Sequence, residues 1–188
     1  MPRGISKKTK RLTAAAVLAA MGVALLFIGS IIKTLDLSMA ALASFFCIFA
    51  VIELGSTYSW LVFAVTGILS VVLMPANMGG WFYLLFFGYY PILKEKFEKL
   101  RPLLAWVVKI TVLNAAMILS VVIATFIIYG GNLYGAIISI FGTEKWGIYA
   151  AIGMYALVNA VFVVYDVALT RLISVYLFKL RDRFKFLR

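Results

Sequence analysis

Six apolar runs, separated mostly by connections of a few residues, dominate this sequence: Leu12–Ile32, Leu37–Leu54, Thr57–Met74, Trp81–Leu93, Leu103–Tyr129 and Trp146–Leu169. A helix needs about 20 consecutive apolar residues to cross the hydrocarbon core of a bilayer. The chain is 65% hydrophobic and 13% charged, with a mean hydropathy of +1.07. A soluble domain is about 45–50% apolar and about 25% charged, so much of this surface must face lipid. The expected fold is all-α: a single transmembrane domain over residues 1–188, crossing the membrane six times with both termini cytoplasmic.

The connections carry turn and cap signals. Lys33-Thr34-Leu35-Asp36 is a tight link, with Asp36 expected to cap the second helix. Gly55-Ser56 is a second short turn. Pro75-Ala76-Asn77 and Gly79-Gly80 close the third segment, Pro102 opens the fifth, and Gly130-Gly131-Asn132 breaks it. The fourth run, Trp81–Leu93, is the shortest; its helix is expected to continue into Lys94–Leu100, with Pro91 as a kink. Leu133–Gly142 is apolar but too short to span, which suits an interfacial or a re-entrant piece.

The net charge is +11, with no histidine. On a soluble chain that charge would point to nucleic acid. Here the cations cluster at the ends of apolar runs, which is a topology signal, and no nucleic-acid partner is expected. Fifteen of the eighteen lysines and arginines lie in the N-terminal tail, the Lys94–Arg101 loop and the C-terminal tail from Arg171. Six spans put all three on the cytoplasmic side and leave only Lys33 and Lys145 outside. Lys109, early in the fifth run, is within snorkelling reach of the inner face. Trp81, Tyr83, Tyr129, Tyr134, Trp146 and Tyr149 collect at the outer boundary; Tyr89, Tyr90, Trp106 and Tyr176 collect at the inner one. Basic residues before the first run resemble a signal peptide, but Leu12–Ile32 is long enough to span and is read as the first transmembrane helix.

Groups for catalysis are scarce. There is no imidazole, one cysteine and seven carboxylates, most of them in loops or at helix ends. No phosphate-cradling or nucleophile motif is present. Asp36 and Asp166 are expected near opposite faces of the membrane, unlike a paired aspartyl centre. No catalytic residue, metal site or cofactor is expected, and the chain is not read as an enzyme. Cys47 is expected to be a packing residue.

Polar residues at membrane depth are the remaining candidates, because burial in lipid is costly. Asn114 lies near the middle of the fifth run and Asn159 near the middle of the sixth. Helical spacing puts Thr111, Asn114, Ile118, Val121 and Thr125 on one face, and Tyr155, Asn159, Phe162 and Asp166 on another. Two readings stand. One is a solute pocket lined by Asn114, Tyr155 and Asn159, with Trp81, Tyr83 and Trp146 stacking on or covering the ligand. The other is hydrogen bonding between helices. Glu53, Lys109 and Asp166, expected near the cytoplasmic face, suit either a proton relay or snorkelling side chains, with Arg171 or Lys109 as an ion-pair partner for Asp166.

Small residues mark two helices. Asp36, Ala40, Ala43, Cys47 and Ala50 form one stripe on the second. The first carries Ala15-x-x-x-Ala19 and Ala16-x-x-x-Ala20, whose alanines cover enough of the helix for one face to serve a partner. A basic tail leading into "KRLTAAAVLAAMGVAL", short connections, six expected helices and about 190 residues together resemble the substrate-binding S components of energy-coupling factor transporters. The likeness is best over Lys10–Leu73. It implies that Ala15 and Ala19, or Ala16 and Ala20, contact a transmembrane coupling subunit that works with ATP-binding-cassette ATPases. It also implies a small-molecule solute bound in the outward half, and a bacterial cytoplasmic membrane. Absence of histidine argues against a nickel or cobalt member, and the scarcity of outward charge favours a neutral or weakly charged organic solute. The short Lys33–Asp36 loop departs from the family's lid. "FFGYYPILKEKFEKL" is similar to segments of small bacterial membrane proteins. The competing reading is an accessory or structural membrane protein that contacts other proteins or lipid.

Overall fold

The computed structural model describes residues 7–75, 77–132 and 144–180. Among the described residues every regular element is helical. Five helices are long and apolar enough to cross a membrane: Lys7–Ile31, Asp36–Glu53, Ser56–Leu73, Pro102–Ile123 and Ile152–Phe178. That is the anatomy of an integral membrane protein. The elements are α1 (Lys7–Ile31), α2 (Asp36–Glu53), α3 (Ser56–Leu73), α4 (Met78–Phe82), α5 (Tyr90–Phe97), α6 (Pro102–Tyr129) and α7 (Glu144–Val175). The chain forms two compact units, one of residues 1–105 with 173–188 and the other of residues 106–172.

Alanine and glycine build the first unit. α1 buries Ala15, Ala19, Gly22, Leu26 and Gly29, and α2 buries Ala40, Ala43, Cys47 and Ala50. Both stripes follow the three-and-four spacing of one helical face. Without long side chains at the seam, backbones approach closely, which is how membrane helices gain packing energy where lipid offers no hydrophobic drive. A methyl on Gly22 would lie 2.9 Å from Thr66 Cγ2 of α3. At the same place Thr66 Oγ1 donates to Ala19 O at 3.3 Å. Gly55, at φ +93°, makes the tight α2–α3 turn in a conformation that L side chains avoid. Asp36 is not the cap of α2: it is the first helical residue, after Leu35, and its Oδ1 is buried with no hydrogen-bond partner among the described residues. The carboxylate still sits where the helix dipole favours negative charge.

The fourth predicted segment is a broken helix, starting earlier and ending later than its apolar run. Asn77 caps α4, accepting from Gly79 N at 2.9 Å, and its Nδ2 donates to Leu26 O of α1 at 3.1 Å. A wider turn, Tyr83–Phe87, follows, in which Gly88 N donates five residues back to Tyr83 O at 2.8 Å. Pro91 accounts for the break: it has no N–H to give Phe87 O, and its ring crowds that carbonyl. Gly88 fits because a methyl there would stand 2.5 Å from Phe63 Cδ2 and 2.7 Å from Tyr83 Cε1.

In the second unit α6 buries Lys109, Leu113, Ala116 and Thr125, and α7 buries Phe162, Asp166 and Leu169. The expected face of α6 through Thr111, Asn114, Ile118, Val121 and Thr125 is buried only in part: Thr125 is buried and Asn114 half-buried, whereas Thr111 and Val121 are exposed and Ile118 is 67% exposed. The helix is rotated so that Lys109, expected to snorkel, turns inward along a stripe with Leu113 and Ala116. Gly130 and Gly131 end α6 at φ +57° and +88°, with Gly131 N donating to Thr125 O at 3.1 Å. Leu133–Gly142 lies outside the described residues.

Candidate functional site

Charge at depth defines the second unit. Lys109 Nζ lies 2.8 Å from Asp166 Oδ2, with side-chain exposures of 7% and 4%. The Lys109 ammonium also stands 5.3 Å from the ring centre of Trp106, one turn earlier, within cation–π range. A buried ion needs a counter-ion to offset its desolvation, so this pair holds α6 to α7. It also fixes their relative sense. From Lys109 to Tyr129 and from Glu144 to Asp166, α6 and α7 extend about 30 Å and about 33 Å at 1.5 Å per residue. A parallel pair would separate Tyr129 from Glu144 by about 63 Å, beyond the roughly 50 Å that the intervening residues can reach.

Asn114 is half-buried. Its Nδ2 donates to Ile110 O one turn back at 2.8 Å, while its Oδ1 is buried and has no hydrogen-bond partner among the described residues. A buried acceptor without a donor costs on the order of 1–3 kcal/mol, and such groups mark places where a ligand or an ordered water supplies the donor. Asn159 Nδ2 donates to Tyr155 O at 2.9 Å. Thr111, Ser120, Thr125 and Thr170 likewise return their hydroxyls to carbonyls four residues back. Satisfying a polar side chain on its own helix makes it tolerable in lipid. The Tyr155 side chain is 52% exposed, so it lies beside Asn159 on the chain without being enclosed with it.

The expected aromatic members of the solute site have other roles in the first unit. Tyr83 is fully buried, and its hydroxyl lies 3.0 Å from Cys47 Sγ. That makes it a core residue rather than a lid or a boundary anchor. Trp81 Nε1 donates to Pro75 O at 3.0 Å, fastening the turn ahead of α4. The Trp146 side chain lies outside the described residues. Glu53 is buried and accepts from Tyr176 Oη at 3.1 Å; Phe49 meets the Tyr176 ring edge-on at 5.4 Å.

The two alanine registers of α1 separate clearly. Ala15 and Ala19 are buried in the first unit's own core, whereas Ala16 and Ala20 are exposed. Only the second register is free to meet another helix. Sequence spacing found both registers, and burial is what tells them apart. Sequence reasoning named Lys109 as one of two ion-pair partners for Asp166, and the pair that forms is with Lys109; what it did not read is the burial of that pair. Its signal was the buried-type spacing of Ala105, Lys109, Leu113 and Ala116.

No protein family model, curated protein or solved structure matches this chain.

Proposed function

We propose that this protein is a solute-binding subunit of a membrane transporter. In this reading it crosses a bacterial cytoplasmic membrane six times, with α4 and α5 together making the fourth crossing and both termini cytoplasmic. It binds a small neutral or weakly charged organic solute through the second unit and docks a coupling subunit through the exposed Ala16–Ala20 register of α1. Its partners are then membrane lipid, the solute and an ATP-binding-cassette module that hydrolyses ATP elsewhere.

The observation that carries the solute reading is the buried, unpartnered Oδ1 of Asn114. It favours a ligand that offers an N–H or O–H donor. The nearby charges neutralise each other in the Lys109–Asp166 pair, which favours a solute without a full charge. Asn159, on α7, is the next candidate contact, while Trp81 and Tyr83 drop out because their polar atoms are engaged in the first unit. The test is mass spectrometry of small molecules released from the purified protein, paired with Asn114→Leu. A solute carried by the wild type and lost by the folded variant supports the assignment. Equal recovery from both removes Asn114 from the site.

A second reading is an accessory membrane protein without transport activity. It is favoured by the return of so many α6 and α7 side chains to their own helix carbonyls, which leaves those helices suited to lipid or to another protein. It expects no bound solute and no ATPase partner.

A further inference from the structure

The basic residues of the first unit fall into two groups that differ in how they are balanced. In α5 and the turn after it, Lys94 pairs with Glu98 at 3.1 Å and Lys99 with Glu95 at 3.4 Å. The first turns of α1 hold Lys7, Lys8, Lys10 and Arg11 with no acidic residue among them, and the first carboxylate in the sequence is Asp36, beyond the far end of that helix. None of these four cations forms an ion pair among the described residues. Lys7, Lys8 and Lys10 are exposed, whereas Arg11 is half-buried with its Nε buried and without a hydrogen-bond partner among the described residues.

Helical spacing groups three of them. Lys7, Lys8 and Arg11 lie on the face that one turn later becomes the buried Ala15–Ala19 stripe. They therefore converge where α1 emerges from its bundle, with Arg11 innermost. Four residues after Lys8, Leu12 is 55% exposed, and exposed Ala16, four residues further on, extends an apolar track along that side of the helix. Cations without an ion pair among the described residues, one turn before an exposed apolar track, match a ligand with a phosphate head and hydrocarbon chains.

We propose that Lys7, Lys8 and Arg11 form a binding site for the phosphate of an anionic phospholipid, with Arg11 Nε supplying the innermost donor and the acyl chains lying on Leu12 and the turns beyond it. Charge complementarity selects the ligand: a zwitterionic lipid brings its own cation, and an acidic protein segment lacks the hydrocarbon that the track would cover. The site does not depend on the transport reading.

The test is native mass spectrometry of the full-length protein in detergent, with phosphatidylglycerol or phosphatidylcholine added at matched concentrations. Near-surface cations each contribute about fivefold in affinity for anionic lipid. The expected result is preferential retention of phosphatidylglycerol, reduced on the order of tenfold or more in Lys7→Gln/Lys8→Gln/Arg11→Gln and little changed in Lys96→Gln/Lys99→Gln. Arg11→Lys keeps the charge, removes the inward Nε and gives a several-fold loss, so the assignment survives if the triple variant folds poorly. Equal retention of the two lipids overturns the proposal. So does Arg11→Lys binding like the wild type, or an acidic protein remaining bound in place of lipid.

Discussion

Lys109 and Asp166, 57 residues apart in sequence, meet through a 2.8 Å hydrogen-bonded ion pair that is almost wholly withdrawn from the surface. The pair aligns two membrane helices in opposite senses, cancels the charge that each residue brings to the second unit, and turns the Ala105–Ala116 side of α6 inward.

Lys109→Met alone and Asp166→Leu alone each leave an unpaired buried charge, at a cost of about 3–5 kcal/mol. The Lys109→Met/Asp166→Leu double variant removes both charges and regains most of that loss. Melting followed by fluorescence-detected size exclusion in detergent reads all four proteins. Strong non-additivity is expected, and additive losses contradict a direct pair.

Asn77 ties the turn before α4 to the Leu26 carbonyl of α1 and caps α4 through Gly79 N. Asn77→Ala removes both bonds and destabilises the first unit by about 2 kcal/mol. Trp81→Phe, which loses one exposed bond to Pro75 O, costs less than about 1 kcal/mol. Melting temperatures of the two variants give the ranking, and the reverse order counts against Asn77 as the tie.

Gly88→Val forces a side chain into Phe63 and Tyr83, where a methyl alone already meets Cδ2 of Phe63 at 2.5 Å. Overpacking of this kind costs about 1–3 kcal/mol. Gly153→Ala, at a helical position with nothing within 4 Å of the added methyl, is neutral or slightly stabilising. Parallel melts of the two variants check the contrast.

Ala15→Leu and Ala16→Leu are adjacent and chemically identical changes with opposite expected outcomes. Ala15 is 3% exposed in the core of α1, α2 and α3, so Ala15→Leu lowers the yield of monodisperse protein. Ala16 is exposed, and Ala16→Leu leaves yield and melting unchanged. Size-exclusion profiles of both variants decide it.

Much of the helical framework was legible in the sequence, because apolar length and small-residue spacing are local signals. The stripes Ala15–Ala19 and Ala40–Ala43–Cys47–Ala50 are buried at their expected spacing. The fourth segment was harder. Pro91 suggested a kink, but the five-residue bond from Gly88 to Tyr83 and the start at Met78 depend on how Phe63 and Leu26 pack against that stretch. Lys109 was legible only as alternatives: a lysine that snorkels and one that pairs inward share the same local sequence, so Lys109 and Arg171 both stood as partners for Asp166, and only the contact across 57 residues decides for Lys109. Tyr83 misled because an aromatic near a run's end fits a boundary belt, whereas its hydroxyl is taken up by Cys47 in the core.

The most direct test of the transport reading is affinity purification of the protein from its native membrane in mild detergent, followed by identification of its partners by mass spectrometry. The account predicts a polytopic coupling subunit together with two ATP-binding-cassette ATPases, retained by Ala15-intact protein and depleted by Ala16→Leu/Ala20→Leu. Recovery of the protein alone, or with an unrelated membrane complex, contradicts it and leaves the accessory-protein reading in its place.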